Sequence, residues 1–242
     1  MTASMQVDGD ALVFGEGADK KQISTVDLAG FVIDQQGKVM KSFKDHVELS
    51  ASATRAASSR TPDFIYHYRT SLQPGLYQVR MAARDARSGR TGSAMQWIEI
   101  PDLKSQKLLM SSLLIGERAD TPLPANLNPA AIPTATMSVS HRLPRNSYLR
   151  FITYIYNASR GTNGTAEPDV ALQVQVLRDD QPVITTTLRK VQTAGITDMA
   201  RLPYIAEIPL SGMLAGRYVL QVSVIDRLAK NSATQRTEFE IE

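Results

Sequence analysis

Cysteine is absent from the 242 residues, which excludes disulfides, thiolate nucleophiles and thiolate metal sites and leaves the compartment open. Histidine is scarce: the three present, His46, His67 and His141, are too scattered for the H-x-x-x-H or H-x-H spacing of a zinc site. Each is read as a surface or edge-strand residue. No apolar run approaches the roughly 20 residues of a membrane helix. The first ten residues lack the basic end and apolar segment of a signal peptide. That start predicts either a cytoplasmic protein or a piece of a longer exported chain. The sequence also lacks a G-x-S-x-G elbow, a P-loop and a dinucleotide glycine pattern. Asp8-Gly9-Asp10 and Asp179-Asp180 lack the further oxygens in register that calcium needs. No catalytic constellation, metal site or cofactor is expected, and the chain reads as non-enzymatic.

What is present is a folded composition, 43% hydrophobic and 21% charged. The net charge of +3 comes from Lys and Arg spread along the chain rather than massed, so nucleic acid is not an expected partner. One stretch is written twice. Gly75-Leu-Tyr-Gln-Val-Arg-Met-Ala-Ala-Arg-Asp85 returns as Gly216-Arg-Tyr-Val-Leu-Gln-Val-Ser-Val-Ile-Asp226. Alternation puts Tyr77, Val79, Met81, Ala83 and Asp85 on one side, and Tyr218, Leu220, Val222, Val224 and Asp226 on the other copy's equivalent side. The match extends beyond this strand. Leu172 to Leu177 corresponds to Leu28 to Ile33, and Asp226 to Ile241 corresponds to Asp85 to Ile100.

These patterns predict an all-β chain of two tandem immunoglobulin-like antiparallel β-sandwich modules, residues 1–103 and 104–242. The polar, proline-bearing stretch 101–107 is the expected linker. Residues 1–10 read as frayed and Ala11 to Phe14 as a short strand. Strands are expected over Ser24 to Asp34, Val39 to Phe43, Val47 to Leu49, Leu108 to Ile115 and Met137 to His141. Tyr148 to Asn157, apolar on both faces, reads as a central strand. Ala51 to Ser59 reads as a helical turn or loop, and Ser159 to Thr165 as a mobile loop. Pro122, Pro124, Pro129 and Pro133 exclude regular structure around them. The early strands of the first module look short, so one of its strands could come from elsewhere.

Tyr77 and Tyr218, each just after a glycine turn, match the tyrosine corner of such sandwiches and carry a structural expectation. Asp85 and Asp226 close the same strands and are expected to accept backbone N–H groups in the next turn. If Ile98 and Ile100 face inward, Met95 and Trp97 face outward. Trp97, the single tryptophan, is thus the candidate binding residue, with packing against another domain as the alternative.

The run Leu72 to Leu103, with Leu108 to Ile115, Tyr154-Ile-Tyr-Asn-Ala158 and Asp226-Arg-Leu-Ala-Lys230, resembles the region that follows the von Willebrand factor A-type (VWA) domain in VWFA-related proteins of acidobacteria. The resemblance implies an exported protein in which a VWA domain precedes two β-sandwich modules. The D-x-S-x-S metal motif of a VWA domain does not occur, so no metal site carries over. The expected role is structural or protein-interacting, accessory to a VWA-type domain, outside the cytoplasm and without membrane insertion. The alternative is a carbohydrate-binding sandwich that stacks a glycan on Trp97 or on the aromatic strand Tyr148 to Tyr156. An enzyme accessory module is a third reading.

Overall fold

In a computed structural model the described residues are 1–17, 21–51, 61, 63–117, 136–161 and 167–242. The chain is all-β and divides into two compact units, Met1–Asp102 and Leu103–Glu242; the sequence alone suggested a division after residue 103. No helix among the described residues is long and apolar enough to cross a membrane.

In the first unit, β1 (Thr2–Val7) pairs antiparallel with β5 (Phe64–Arg69) as a short sheet. The long sheet holds β2 (Gly15–Glu16), β3 (Gln22–Asp34), β6 (Gly75–Asp85) and β7 (Thr91–Ile100) in that order, and β4 (Val39–Ala51) also pairs with β3. Alternation in β3 and β6 turns Val26, Leu28, Val32, Tyr77, Val79, Met81 and Ala83 inward, where they meet Met5 of β1 and the rings of β5. Gly30 has a packing reason: a side chain there would run into the ring of Phe43, its cross-strand neighbour. The space lets Phe43 stack on Tyr68 with ring centroids 4.3 Å apart.

The second unit begins with β8 (Leu109–Met110), β9 (Leu114–Glu117) and β10 (Thr136–Met137). Its central strand β12 (Tyr148–Tyr156) lies between β8 and β9 on one side and β16 (Arg201–Pro209) on the other. The facing sheet is ordered β11 (Arg142–Leu143), β18 (Asn231–Ile241), β17 (Gly216–Asp226), β13 (Val170–Arg178), β14 (Gln181–Thr185), with β15 (Arg189–Lys190) also on β13. Side chains from both sheets, among them Phe151, Ile155, Leu202, Leu172, Leu220 and Phe239, form one core.

The equivalence between the units reaches the pairing register. Val26 faces Asp85 and Leu28 faces Ala83, as Val170 faces Asp226 and Leu172 faces Val224. Each unit has a register shift at the matching place, between Val32 and Ile33 and between Val176 and Leu177.

Several local expectations are corrected. Residues 2–7 are a paired strand, not a frayed end, because Met5 has a core to enter. Ala11 to Phe14 is not a strand: Asp8 caps a 3-10 turn, Gly9–Ala11, and the chain runs on unpaired to Gly15. Val39 to Leu49 is one continuous strand. Leu108 to Ile115 is broken by Ser111, whose N–H donates to Tyr154 O and whose hydroxyl meets Thr153. Met137 to His141 is not one strand. The chain bends there, His141 takes a φ of 55°, and β11 then pairs parallel to β18, a departure from an all-antiparallel sandwich. Residues 52–59, the four named prolines and most of Ser159 to Thr165 lie outside the described residues.

Candidate functional site

The two copies of the Gly-x-Tyr strand place their tyrosines in the same way. Gly75 and Gly216 have φ of +154° and +139°, a region that favours glycine. Two residues on, the Tyr77 hydroxyl donates to the Gln73 carbonyl at 3.0 Å and the Tyr218 hydroxyl to the Leu214 carbonyl at 2.7 Å. Tyr218 also receives Arg178 Nη1 at 3.3 Å, with the guanidinium 5.5 Å from its ring centre. Tyr77→Phe is expected to cost about 1 kcal/mol of stability and Tyr218→Phe about 1.5 kcal/mol, read from urea unfolding followed by circular dichroism.

Asp85 and Asp226 are buried at the inner ends of β6 and β17. Asp85 accepts Ser88 N–H at 2.9 Å, the Ser88 hydroxyl, and Ser24 Oγ at 3.4 Å. Asp226 accepts Ser159 N–H at 2.7 Å, Leu228 N–H at 2.9 Å and Ala229 N–H at 3.0 Å. Burial pushes both carboxyls up, but the hydrogen bonds, led by Ser88 for Asp85 and by Ala229 and Ser159 for Asp226, outweigh it and hold both below the ordinary value. These acids tie turns together.

Trp97 lies on the outer face of the long sheet, 49% exposed, beside Met95 at 57% and Phe31 at 45%. Pairing sets Phe31, Arg80 and Met95 in one rung across β3, β6 and β7. The neighbouring rung sets Ala29, Ala82 and Ser93 together, and an open cleft of about 480 Å³ runs over these residues. Gln78, opposite Trp97, is buried and accepts Arg80 Nε at 2.5 Å. Phe31, Met95 and Trp97 thus surround the tethered Arg80, and Lys44 of β4 stands at the end of the neighbouring rung, beside Ala29.

The second unit presents the same rungs with different chemistry. Where the first has Phe31, Arg80 and Met95, the second has Gln175, Gln221 and Arg236. Gln221 donates to Gln175 at 2.8 Å and accepts from Arg236 at 2.5 Å. Ser223 and Thr234 are 3.0 Å apart, and Glu238 stands where the first unit has Trp97. The backbone arrangement plainly tolerates a polar, hydrogen-bonded outer face, so the apolar face of the first unit is not a demand of the fold.

Sequence reasoning found Trp97 and Met95 but missed Phe31, Arg80 and Gln78. The signal was available in the outward positions of the repeat, where Phe31 and Arg80 match glutamines. The aromatic strand β12 offers less free surface. Tyr154 has the Arg201 guanidinium 5.4 Å from its ring centre, and Tyr156 is half-buried. A second cleft, about 490 Å³, opens beside His141, Asp179, Asp180, Arg217 and Glu240. Among the described residues no three His, Asp or Glu side chains are grouped to hold a metal ion.

No protein-family model and no curated protein sequence matches the chain. Among solved structures it is similar to a Bacteroides uniformis beta-glucuronidase, at 13% identity over 98% of this chain and 26% of that one, with a TM-score of 0.34. A calcium-binding mutant of Bacteroides uniformis beta-glucuronidase 2 gives 12% identity, 99% and 26% coverage and a TM-score of 0.35. Fibronectin(III)-like modules of Clostridium thermocellum CbhA give 10% identity, 98% and 84% coverage and a TM-score of 0.21. The chain thus spans about a quarter of the length of the glucuronidases. Likenesses at these scores say nothing about function.

Proposed function

We propose that this chain is a non-enzymatic protein-interaction module, built from two copies of one immunoglobulin-like sandwich, in which the outer face of the first unit's long sheet docks a protein partner. The contrast between Phe31, Arg80, Met95 and Trp97 and the hydrogen-bonded Gln175, Gln221, Arg236 and Glu238 carries this reading. Aromatic residues, methionine and arginine are enriched at protein interfaces, and tryptophan and arginine are among the types that dominate their binding energy. The partner that the sequence resemblance implies is a VWA-type domain, within an exported protein. The glycan reading has weaker support, since no described ring packs beside Trp97 to make a stacking platform.

The test is titration of the full chain with a separately produced VWA-type domain of the acidobacterial family. Trp97→Ala and Met95→Lys are each expected to weaken binding at least about tenfold. Met95→Lys is expected to change folding stability by less than about 0.5 kcal/mol and Trp97→Ala to lower it by about 1–2 kcal/mol, because half of the tryptophan rests on the sheet; neither change unfolds the chain. Leu214→Lys, at another exposed apolar residue in the second unit, leaves affinity unchanged. Wild-type affinity in Trp97→Ala and Met95→Lys would refute the assignment of the face.

A further inference from the structure

We propose that the open edge of β7 accepts an extended strand from another polypeptide, running parallel to β7 along Trp97–Ile100, with an apolar side chain turned into the core and a basic one beside Glu99. This uses the edge of the sheet rather than its face, but it rests on the same reading of the first unit as a binding module.

The second unit shows what such an edge takes up. There β11 lies parallel to β18, with Arg142 beside Glu240 and Leu143 beside Ile241. Glu240 N–H donates to His141 O at 2.9 Å and Glu242 N–H to Leu143 O at 3.0 Å. Leu143 is buried in the core, and Arg142 Nε lies 3.5 Å from Glu240 Oε2.

The first unit has the matching acceptor and no described strand on it. Tyr77 faces Ile98 and Gly75 faces Ile100, as Tyr218 faces Phe239 and Gly216 faces Ile241. In that shared register Glu99 stands for Glu240, so the backbone groups of Trp97 and Glu99 point away from β6 toward the edge. No described strand pairs there. Among the described residues the Trp97 carbonyl accepts from the neighbouring Gln96 side chain, at 3.3 Å. The core registers the difference. Phe239 and Ile241 are fully buried, whereas Ile98 and Ile100 are half-buried.

The edge is also unguarded. Natural edge strands carry charges, prolines or bulges against unwanted pairing. The opposite edge strand β4 has Lys41, Lys44, Asp45 and Glu48, while β7 has only Glu99 in its ten residues. An open, nearly uncharged edge beside an incompletely covered core is the arrangement that strand addition completes. Arg142 and Leu143 supply the chemistry of the incoming strand: one basic residue for the carboxylate of Glu99, one apolar residue for the gap beside Ile100.

The probe is a synthetic peptide with the sequence of residues 138–146, added to the full chain. Hydrogen exchange at the Trp97 and Glu99 amides is expected to slow about tenfold at saturation, with a blue shift of Trp97 emission. The same peptide carrying Leu143→Asp is expected to give neither effect. Glu99→Pro in the chain, which removes the edge N–H at a position where strands tolerate proline, abolishes protection by the parent peptide. Trp97→Ala, which weakens docking at the outer face but keeps every backbone group of the edge, leaves the parent peptide's protection of the Glu99 amide unchanged, so failure at the edge and failure at the face are distinguishable. The proposal is overturned if the parent peptide gives no protection, if the Leu143→Asp peptide protects equally, or if both amides are already protected in a dimer of the free protein.

Discussion

Asp226→Ala is expected to lower unfolding stability by about 3–5 kcal/mol, among the largest effects of any single change in this chain. The carboxylate has no exposed surface and accepts three backbone N–H groups from two segments, Ser159 after β12 and Leu228 and Ala229 in the β17–β18 turn. Alanine leaves all three donors without their acceptor in a site closed to water. Asp85→Ala is expected to cost less, about 2 kcal/mol, because its bonds are local to one turn apart from the long one to Ser24.

The same geometry fixes a pH dependence. The folded-state pKa of Asp226 lies below its ordinary value. Its contribution is therefore present in full above the unfolded carboxyl pKa, about 3.9, and is lost as pH falls through the lower folded value. The stability difference between wild type and Asp226→Asn, measured by urea unfolding, is expected to stay constant from neutral pH down to about 5 and to shrink at more acid pH. A difference independent of pH throughout the acid range would show that the ionised form is not what the site binds.

Glu207→Leu is expected to cost about 3–5 kcal/mol, while the double variant Arg150→Met with Glu207→Leu returns to within about 1 kcal/mol of wild type. Arg150 and Glu207 face each other across β12 and β16. The Nε and Nη2 groups of Arg150 both donate to Glu207 Oε1, at 2.9 and 2.6 Å. The side chain of Arg150 is only 4% exposed. Removing Glu207 alone strands a buried guanidinium without its carboxylate. Removing both replaces an expensive desolvation with apolar contact. A double variant as unstable as the single one would mean that Arg150 is held by something other than this ion pair.

The legible part of the fold was the part written in periodicity. Alternation in β3, β6, β13 and β17 marks strands and their inward faces because each strand has one side toward a core. Alternation failed where a strand is short or its role depends on a distant partner. Thr2–Val7 carries little pattern of its own, and it is a strand because β5 supplies the hydrogen bonds. The break at Ser111 is set by Thr153 and Tyr154 on another strand. Arg150 could be seen to interrupt an apolar strand, yet nothing local pointed to Glu207, 57 residues away. For the candidate face, Trp97 stood out by rarity, but Phe31, Arg80 and Gln78 join it only through the pairing of three strands.

The outer face of the first unit carries the chain's single tryptophan, which makes that face directly measurable. The measurement is the emission spectrum of Trp97 in the free chain, with and without iodide. A red-shifted spectrum strongly quenched by iodide is predicted, since the face must stand open to receive a partner. A blue-shifted spectrum that iodide leaves unchanged would contradict it, because the face would then already be covered in the free protein.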